Sequence, residues 1–261
     1  MERAKVLAVF RNEWQQTFTA GRLTGWLLIC GFPVLLTILV SQFGRLGPEA
    51  TEAWTGILFF VCEIICLLQL LLWATPWLYS ELEGKTWTYL AVRPGGKSAV
   101  LMGKYLAAAI RTMLGTLAAL LLSLLIARPV GGLQVFLVLG FIIVISSFSY
   151  AAVFVFLGAM FPKRAMVLAV GYSLVIELLV SFVPAMINQL SIQFRLRSIL
   201  LTLMDFLEVN GSWQPRRGFE DMLGNSSVML HVGVLLILNV VLLVVANQLV
   251  CRREQVLRPE V

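Results

Sequence analysis

Residues Leu133–Phe161 read LQVFLVLGFIIVISSFSYAAVFVFLGAMF, with no aspartate, glutamate, lysine, arginine or histidine anywhere in the run. At a rise of about 1.5 Å per residue, such a stretch is long enough as a helix to cross the roughly 30 Å hydrocarbon core of a bilayer. Five comparable runs flank it, at Leu23–Phe43, Ile57–Tyr79, Val100–Ala127, Ala165–Ile187 and Met229–Val250. The expected fold is therefore all-α and membrane-integral, with six spans in a single domain covering residues 1–261. The third and fourth runs exceed the minimum, which predicts tilt or an extra turn beyond the membrane.

Composition agrees. Hydrophobic residues make up 59% of the chain and charged residues only 13%, about half the charged share usual in soluble domains. So few charges cannot cover a water-soluble surface. The first 22 residues are polar or amphipathic and the apolar run after them is too long for a leader's core, so no cleaved leader is expected. Cys30, Cys62 and Cys66 lie inside apolar runs and Cys251 follows the last one, which is not the pattern of a secreted disulfide framework.

The net charge of +6 acquires meaning from its placement. Arg3, Lys5, Arg11, Arg22, Lys85, Arg93, Lys97, Lys104, Lys163, Arg164, Arg252, Arg253 and Arg258 all fall on one side of the six-span topology. Arg45, Arg128, Arg195, Arg197, Arg216 and Arg217 fall on the other, four of them in one long loop where the bias counts for less. The richer side is the expected cytoplasmic side, and it carries both chain ends. With the basic residues accounted for by orientation and lipid headgroups, nothing calls for nucleic acid.

Two segments outside the spans have helical periodicity. Val6, Leu7, Phe10, Trp14 and Phe18 share one face, opposite Lys5, Asn12 and Gln16, which suits a helix lying in the membrane interface. After the fifth span Ile192, Leu196, Ile199, Leu200, Leu203 and Phe206 form an apolar stripe, with Arg195, Ser198, Thr202 and Asp205 opposite. That stripe fits an amphipathic or re-entrant outer helix, or an ordinary loop helix packed on the spans.

Several chemistries are excluded. A lone histidine, His231, rules out a zinc-protease helix of the H-E-x-x-H kind. Asp205 and Asp221 are the only aspartates and both precede the last span, so no metal is held between aspartates of the spans. Gly96-Lys97-Ser98 resembles the end of a P-loop, but Ala91 stands where the motif needs glycine and the flanking spans leave no room for a βαβ unit. Cys62 and Cys66, one turn apart beside Glu63, are a thiol pair of the kind soft metals favour; packing as small apolar side chains explains them more simply. Glu63, Arg111 and Glu177 are ionisable residues inside spans and hence functional candidates. Arg111 and Glu177 lie at similar depth, which allows a buried pair between the third and fifth spans, either fixing helix packing or touching substrate. Tyr150, with Ser146, Ser147 and Ser149, gives the fourth span a polar stripe.

Between the second and third spans the chain reads Glu81-Leu-Glu83-Gly84-Lys-Thr86-Trp-Thr-Tyr-Leu90, then Arg93-Pro94-Gly-Gly-Lys97, then Gly103-Lys104. Acids at its start and bases near its end would suit the dipole of a short helix. The segment resembles the signature of ABC-2 type transporter permeases, the membrane subunits of one class of ATP-binding cassette exporters. Glu81, Glu83, Thr86, Leu90, Pro94, Lys97, Gly103 and Lys104 match it in spacing. In a departure, glycine sits at Gly84 and Lys85 occupies the usual glycine place. Six spans, the N-terminal helix, the long loop before the last span and the closing Cys251-Arg252-Arg253-Glu254 extend the resemblance over essentially the whole chain.

The resemblance implies a bacterial cytoplasmic-membrane transporter subunit, not itself an enzyme, working as a dimer with a second permease copy or a paralogue. It places ATP and Mg on a separate cassette subunit, with no cofactor bound by this chain. That subunit would dock on a cytoplasmic coupling helix carrying Glu81, Glu83, Gly84, Thr86, Leu90, Pro94, Lys97 and Lys104, and on the N-terminal helix. Two other functions fit the residues: an ion-coupled secondary transporter using Glu63 or Glu177, or a non-transporting membrane anchor or assembly factor.

Overall fold

The computed structural model describes residues 2–42, 48–129, 131–179, 191–206 and 227–252. Helix α1 is Glu2–Thr17, α2 Ala20–Gln42, α3 Pro48–Trp73, α4 Trp77–Glu83, α5 Trp87–Val92, α6 Gly96–Ala127 and α7 Gly132–Met160. A 3-10 turn, Pro162–Arg164, leads into α8, Ala165–Tyr172, which widens into a π-helix over Ser173–Leu179. Helices α9, Ile192–Phe206, and α10, Val228–Arg252, complete the described residues, among which there is no strand.

Among the described residues, five helices are long and apolar enough to cross a membrane: α2, α3 continued by α4, α6, α7 and α10. The fifth expected span is described only over Ala165–Leu179, and the rest of it lies outside the described residues, as do Arg216, Arg217 and Asp221. Helix α7 is the innermost, while α2 and α10 turn most of their surface outward. The outward faces are apolar: Leu28 is 76% exposed, Leu35 65%, Ile237 66% and Val240 62%. Faces of that character are at rest against lipid and not against water, so this is an all-helical, membrane-embedded protein.

In lipid, helices gain little from burying leucine against leucine, so close contact depends on small residues. Helix α6 shows it. A Cβ on Gly103 would stand 2.7 Å from Val9 of α1, and one on Gly115 would stand 2.8 Å from Trp26 and Cys30 of α2. Gly158 of α7 does the same for α4: a Cβ there would meet the Thr75 carbonyl at 2.5 Å and the Trp77 ring at 2.8 Å. With that gap open, the Trp77 indole lies buried and its Nε1 donates to the Val155 carbonyl at 2.9 Å.

The segment between the second and third spans differs from expectation. The second span, expected to run to Tyr79, is interrupted as a helix after Trp73, because Pro76 has no N–H to continue the ladder. Helix α3 ends at Trp73, with the Thr75 N–H reaching back to Leu70 at 3.3 Å, and α4 restarts directly after Pro76. Its seven residues are then used up at Glu83. Glu81 and Glu83 therefore close a helix where they were expected to open one, at the end the dipole disfavours for acids. Where a single short helix was expected between the second and third spans there are two, α4 and α5, joined through Gly84-Lys85-Thr86.

That joint is a Schellman closure. The Thr86 N–H bonds the Glu81 carbonyl at 3.2 Å, the Lys85 N–H bonds the Leu82 carbonyl at 3.2 Å, and Lys85 sits at φ 56°. The left-handed region suits glycine there, which gives a physical reason for glycine at that place in the signature. Lys85→Gly should stabilise the protein by about 0.5–1 kcal/mol, since left-handed backbone costs other residues about 1–2 kcal/mol and glycine's looser unfolded chain returns part of it. A thermal melt in detergent measures this, and an unchanged or lowered midpoint would count against a strained closure.

Candidate functional site

Two polar clusters stand out in this apolar chain, one at the end of the bundle where α1, α4 and the start of α6 meet, the other in its interior. The first is built around Lys104. Gly103 brings α1 close, and the next residue, Lys104, reaches across both neighbours. Its Nζ lies 2.6 Å from Glu81 Oε1 and 3.1 Å from Glu13 Oε1, and it also donates to the Trp77 carbonyl at 3.3 Å. The Thr86 hydroxyl donates to the Glu81 carboxylate. Thus Glu81, Thr86, Gly103 and Lys104, four of the signature residues, form one network with α1.

The other signature residues lie around it. Glu83 and Pro94 are exposed, Gly84 caps α4, and Leu90 falls on α5. Lys5 of α1 donates to the Pro94 carbonyl at 2.6 Å. Lys97 reaches the Cys251 carbonyl at 3.4 Å, near the C-terminus of α10, where a cation is favoured. In the stretch that resembles a P-loop, a helix, α5, stands where that motif needs a strand, and Gly95 at φ 71° caps α6.

Beside Lys104 opens a cleft of about 480 Å³ between α1, α2, α3, α4 and α6. Arg111 closes its inner part, about 10 Å along α6 from Lys104. The Arg111 guanidinium stacks over the Trp73 ring at 4.6 Å and donates from Nη1 to the Thr17 hydroxyl at 3.2 Å. It is not paired with Glu177. Equal depth says nothing about azimuth, and Arg111 faces α1 while Glu177 faces α7 and α9.

Glu177 instead belongs to the interior cluster. The π-helix of Ser173–Leu179 widens the turn that presents it, a feature often found at functional sites. Its Oε1 accepts from the Tyr172 hydroxyl at 2.6 Å and the Ile192 N–H at 3.3 Å. Oε2 accepts from the Gln193 N–H at 2.9 Å and the Tyr150 hydroxyl at 3.2 Å. Glu177 thus caps the first turn of α9, placing an anion at the positive end of the helix dipole. Helix α9 packs on the spans: Ile192, Leu196 and Ile199 are fully buried against the bundle, and Arg197 lies 5.7 Å over the Phe60 ring.

Glu63 is buried beside Ser146, with no well-formed hydrogen bond to either carboxyl oxygen. An ionised, unpartnered carboxylate in this setting would cost several kcal/mol. Cys66 meets the Thr116 hydroxyl at 3.5 Å and the Ser147 hydroxyl at 3.8 Å, so its thiol serves helix contact. Among the described residues no three His, Cys, Asp or Glu side chains gather as a metal site.

Glu13, Arg22, Thr17, Tyr172 and Gln193 did not emerge from the sequence. For the first three a signal existed: Lys104 and Arg111 are seven residues apart, two turns on one face of α6, so whatever covered Lys104 would also cover Arg111. Compared with known proteins, the chain matches no family model and no curated protein.

Proposed function

We propose that this chain is the permease subunit of an ATP-driven transporter, of the ABC-2 type that its signature residues resemble. On this reading it crosses the cytoplasmic membrane of a bacterium six times, Ala165–Leu179 beginning the fifth span, with both ends cytoplasmic. It pairs with a second copy or a paralogue, and a separate cassette subunit binds ATP and Mg. Export is the direction the resemblance implies.

The observation that carries the proposal is the Lys104 network. Helices α1, α4 and α6 are tied by one ammonium at the end of the bundle richest in Lys and Arg. A partner pressing on α4 and α5 would move α1 and α6 with them, the rigid-body coupling a two-state transporter needs. On α1, Phe10 stacks on Trp14 at 5.8 Å and Trp14 packs edge-on against Phe18 at 6.5 Å. Phe10 and Trp14 are half-buried and Phe18 is 63% exposed, which suits a helix lying in the membrane interface.

Mild-detergent purification from the native membrane tests the reading. A cassette ATPase should co-purify, and the complex in vesicles should hydrolyse ATP while the chain alone does not. Transport that persists without ATP and collapses when ion gradients are dissipated would replace it with the ion-coupled alternative. The unpartnered Glu63 is the observation favouring that alternative.

A further inference from the structure

We propose that the cleft between α1, α2, α4 and α6 is a phosphate-binding site, held by Arg22 and Arg111 and filled from the membrane by the headgroup of an anionic phospholipid. Arg111 is only 7% exposed, it makes no ion pair among the described residues, and its Nε has no hydrogen-bond partner. The carboxylate that acts on it, Glu13, is already ion-paired with Lys104, and a buried guanidinium without an ion pair of its own is costly and in membrane proteins marks a candidate site. Glu13 and Glu81 line the same cleft, but both are engaged by Lys104.

Arg22 faces the cleft from α2, its Nη1 donating to Gln16 Oε1 at 3.1 Å, and its charge opposes that of Arg111, though less strongly than Glu13 favours it. Both guanidiniums line a cleft whose two carboxylates are held by Lys104, which leaves them open to a further anion. The lining charges sum to one net positive, Arg22, Lys104 and Arg111 against Glu13 and Glu81. Planar, weakly hydrated guanidiniums match the oxygens of phosphate in bidentate fashion, which favours this anion over a smaller one.

Three observations favour a lipid as the source. The cleft lies at the end of the bundle that carries Trp73 and the aromatic residues Phe10, Trp14 and Phe18, a composition that suits the headgroup level. Arg22 brings α2 to its rim, and α2 turns most of its surface outward, towards lipid. Its volume of about 480 Å³ exceeds what a bare phosphate fills. The proposal holds whether or not a cassette subunit docks nearby.

Native mass spectrometry of the full chain in neutral detergent provides the test. The chain is titrated with phosphatidylglycerol, with diacylglycerol of the same acyl chains, and with inorganic phosphate. Phosphatidylglycerol should be retained about tenfold more tightly than diacylglycerol, as expected for a charge-assisted hydrogen bond. Arg22→Gln, an exposed change that leaves the packing intact, should remove about that factor. Arg11→Gln, an exposed arginine of α1 outside the cleft, should not. Inorganic phosphate that binds alone and displaces the lipid would support the site and overturn the lipid as its source. Equal retention of the two lipids, or equal loss in Arg22→Gln and Arg11→Gln, would overturn the site itself.

Discussion

Glu177→Leu should lower the unfolding midpoint in detergent by roughly 10 °C, the response of a chain this size to a loss of about 3–5 kcal/mol. The carboxylate accepts from two tyrosine hydroxyls and two backbone amides, and leucine would leave all four donors without it. A buried donor stripped of its partner costs about 1–3 kcal/mol. The two hydroxyls can rotate towards other acceptors, Tyr150 already lying 3.1 Å from Gln193 Oε1. The Ile192 and Gln193 amides cannot, because the first turn of a helix has no carbonyl to offer them. Hydrogen exchange at the start of α9 should accelerate in step with the lost stability. Glu177→Gln should lose about a third to a half as much, since one oxygen remains at the helix end. Tyr172→Phe removes a single donor and should cost least. If Glu177→Leu melts no lower than Tyr172→Phe, the carboxylate is not what holds α9 in the bundle.

How much of this was legible in the sequence depended on which physical rule each feature obeys. Apolar runs locate helices along the membrane normal, so α2, α6, α7 and α10 fall within four residues of the expected spans at each described end. Periodicity likewise identified α1 and the buried stripe of α9. The break between α3 and α4 was visible too, because Pro76 stands inside the second apolar run; reading that run by hydropathy alone carried it through to Tyr79 and put Glu81 at the wrong end of its helix.

Pairing across helices was less legible, because depth constrains only one of the coordinates that bring two side chains together. Arg111 and Glu177 share a depth and face different neighbours. The partners of Glu177 are backbone amides of α9 and two tyrosines, and no residue pattern announces an amide. Lys104 was identified by resemblance and given a surface role; its part as the tie between α1 and α4 depended on the close approach at Gly103, which a sequence cannot display without its neighbour.

Lys104→Met is expected to separate structural from coupling roles at this end of the molecule. Methionine keeps most of the side chain's bulk and removes the charge, leaving Glu13 and Glu81 turned towards a site with no cation between them. The Lys104 side chain is 11% exposed, Glu13 20% and Glu81 17%, so water compensates only in part. Breaking a fully buried pair costs about 3–5 kcal/mol, and about 2–3 kcal/mol is expected here. Adding Glu81→Gln to Lys104→Met should restore part of that loss by removing one of the two stranded carboxylates, a coupling that a double-mutant cycle reads directly. Glu83 is exposed at the end of α4 and has no such duty. Glu83→Gln should therefore melt like the wild type while weakening retention of a docked cassette subunit, if α4 and α5 are where that subunit binds. Lys104→Met melting like the wild type would remove the tie between α1 and α4. Full partner retention in Glu83→Gln, alongside loss of retention in every destabilised variant, would leave the acids of this segment a structural role alone.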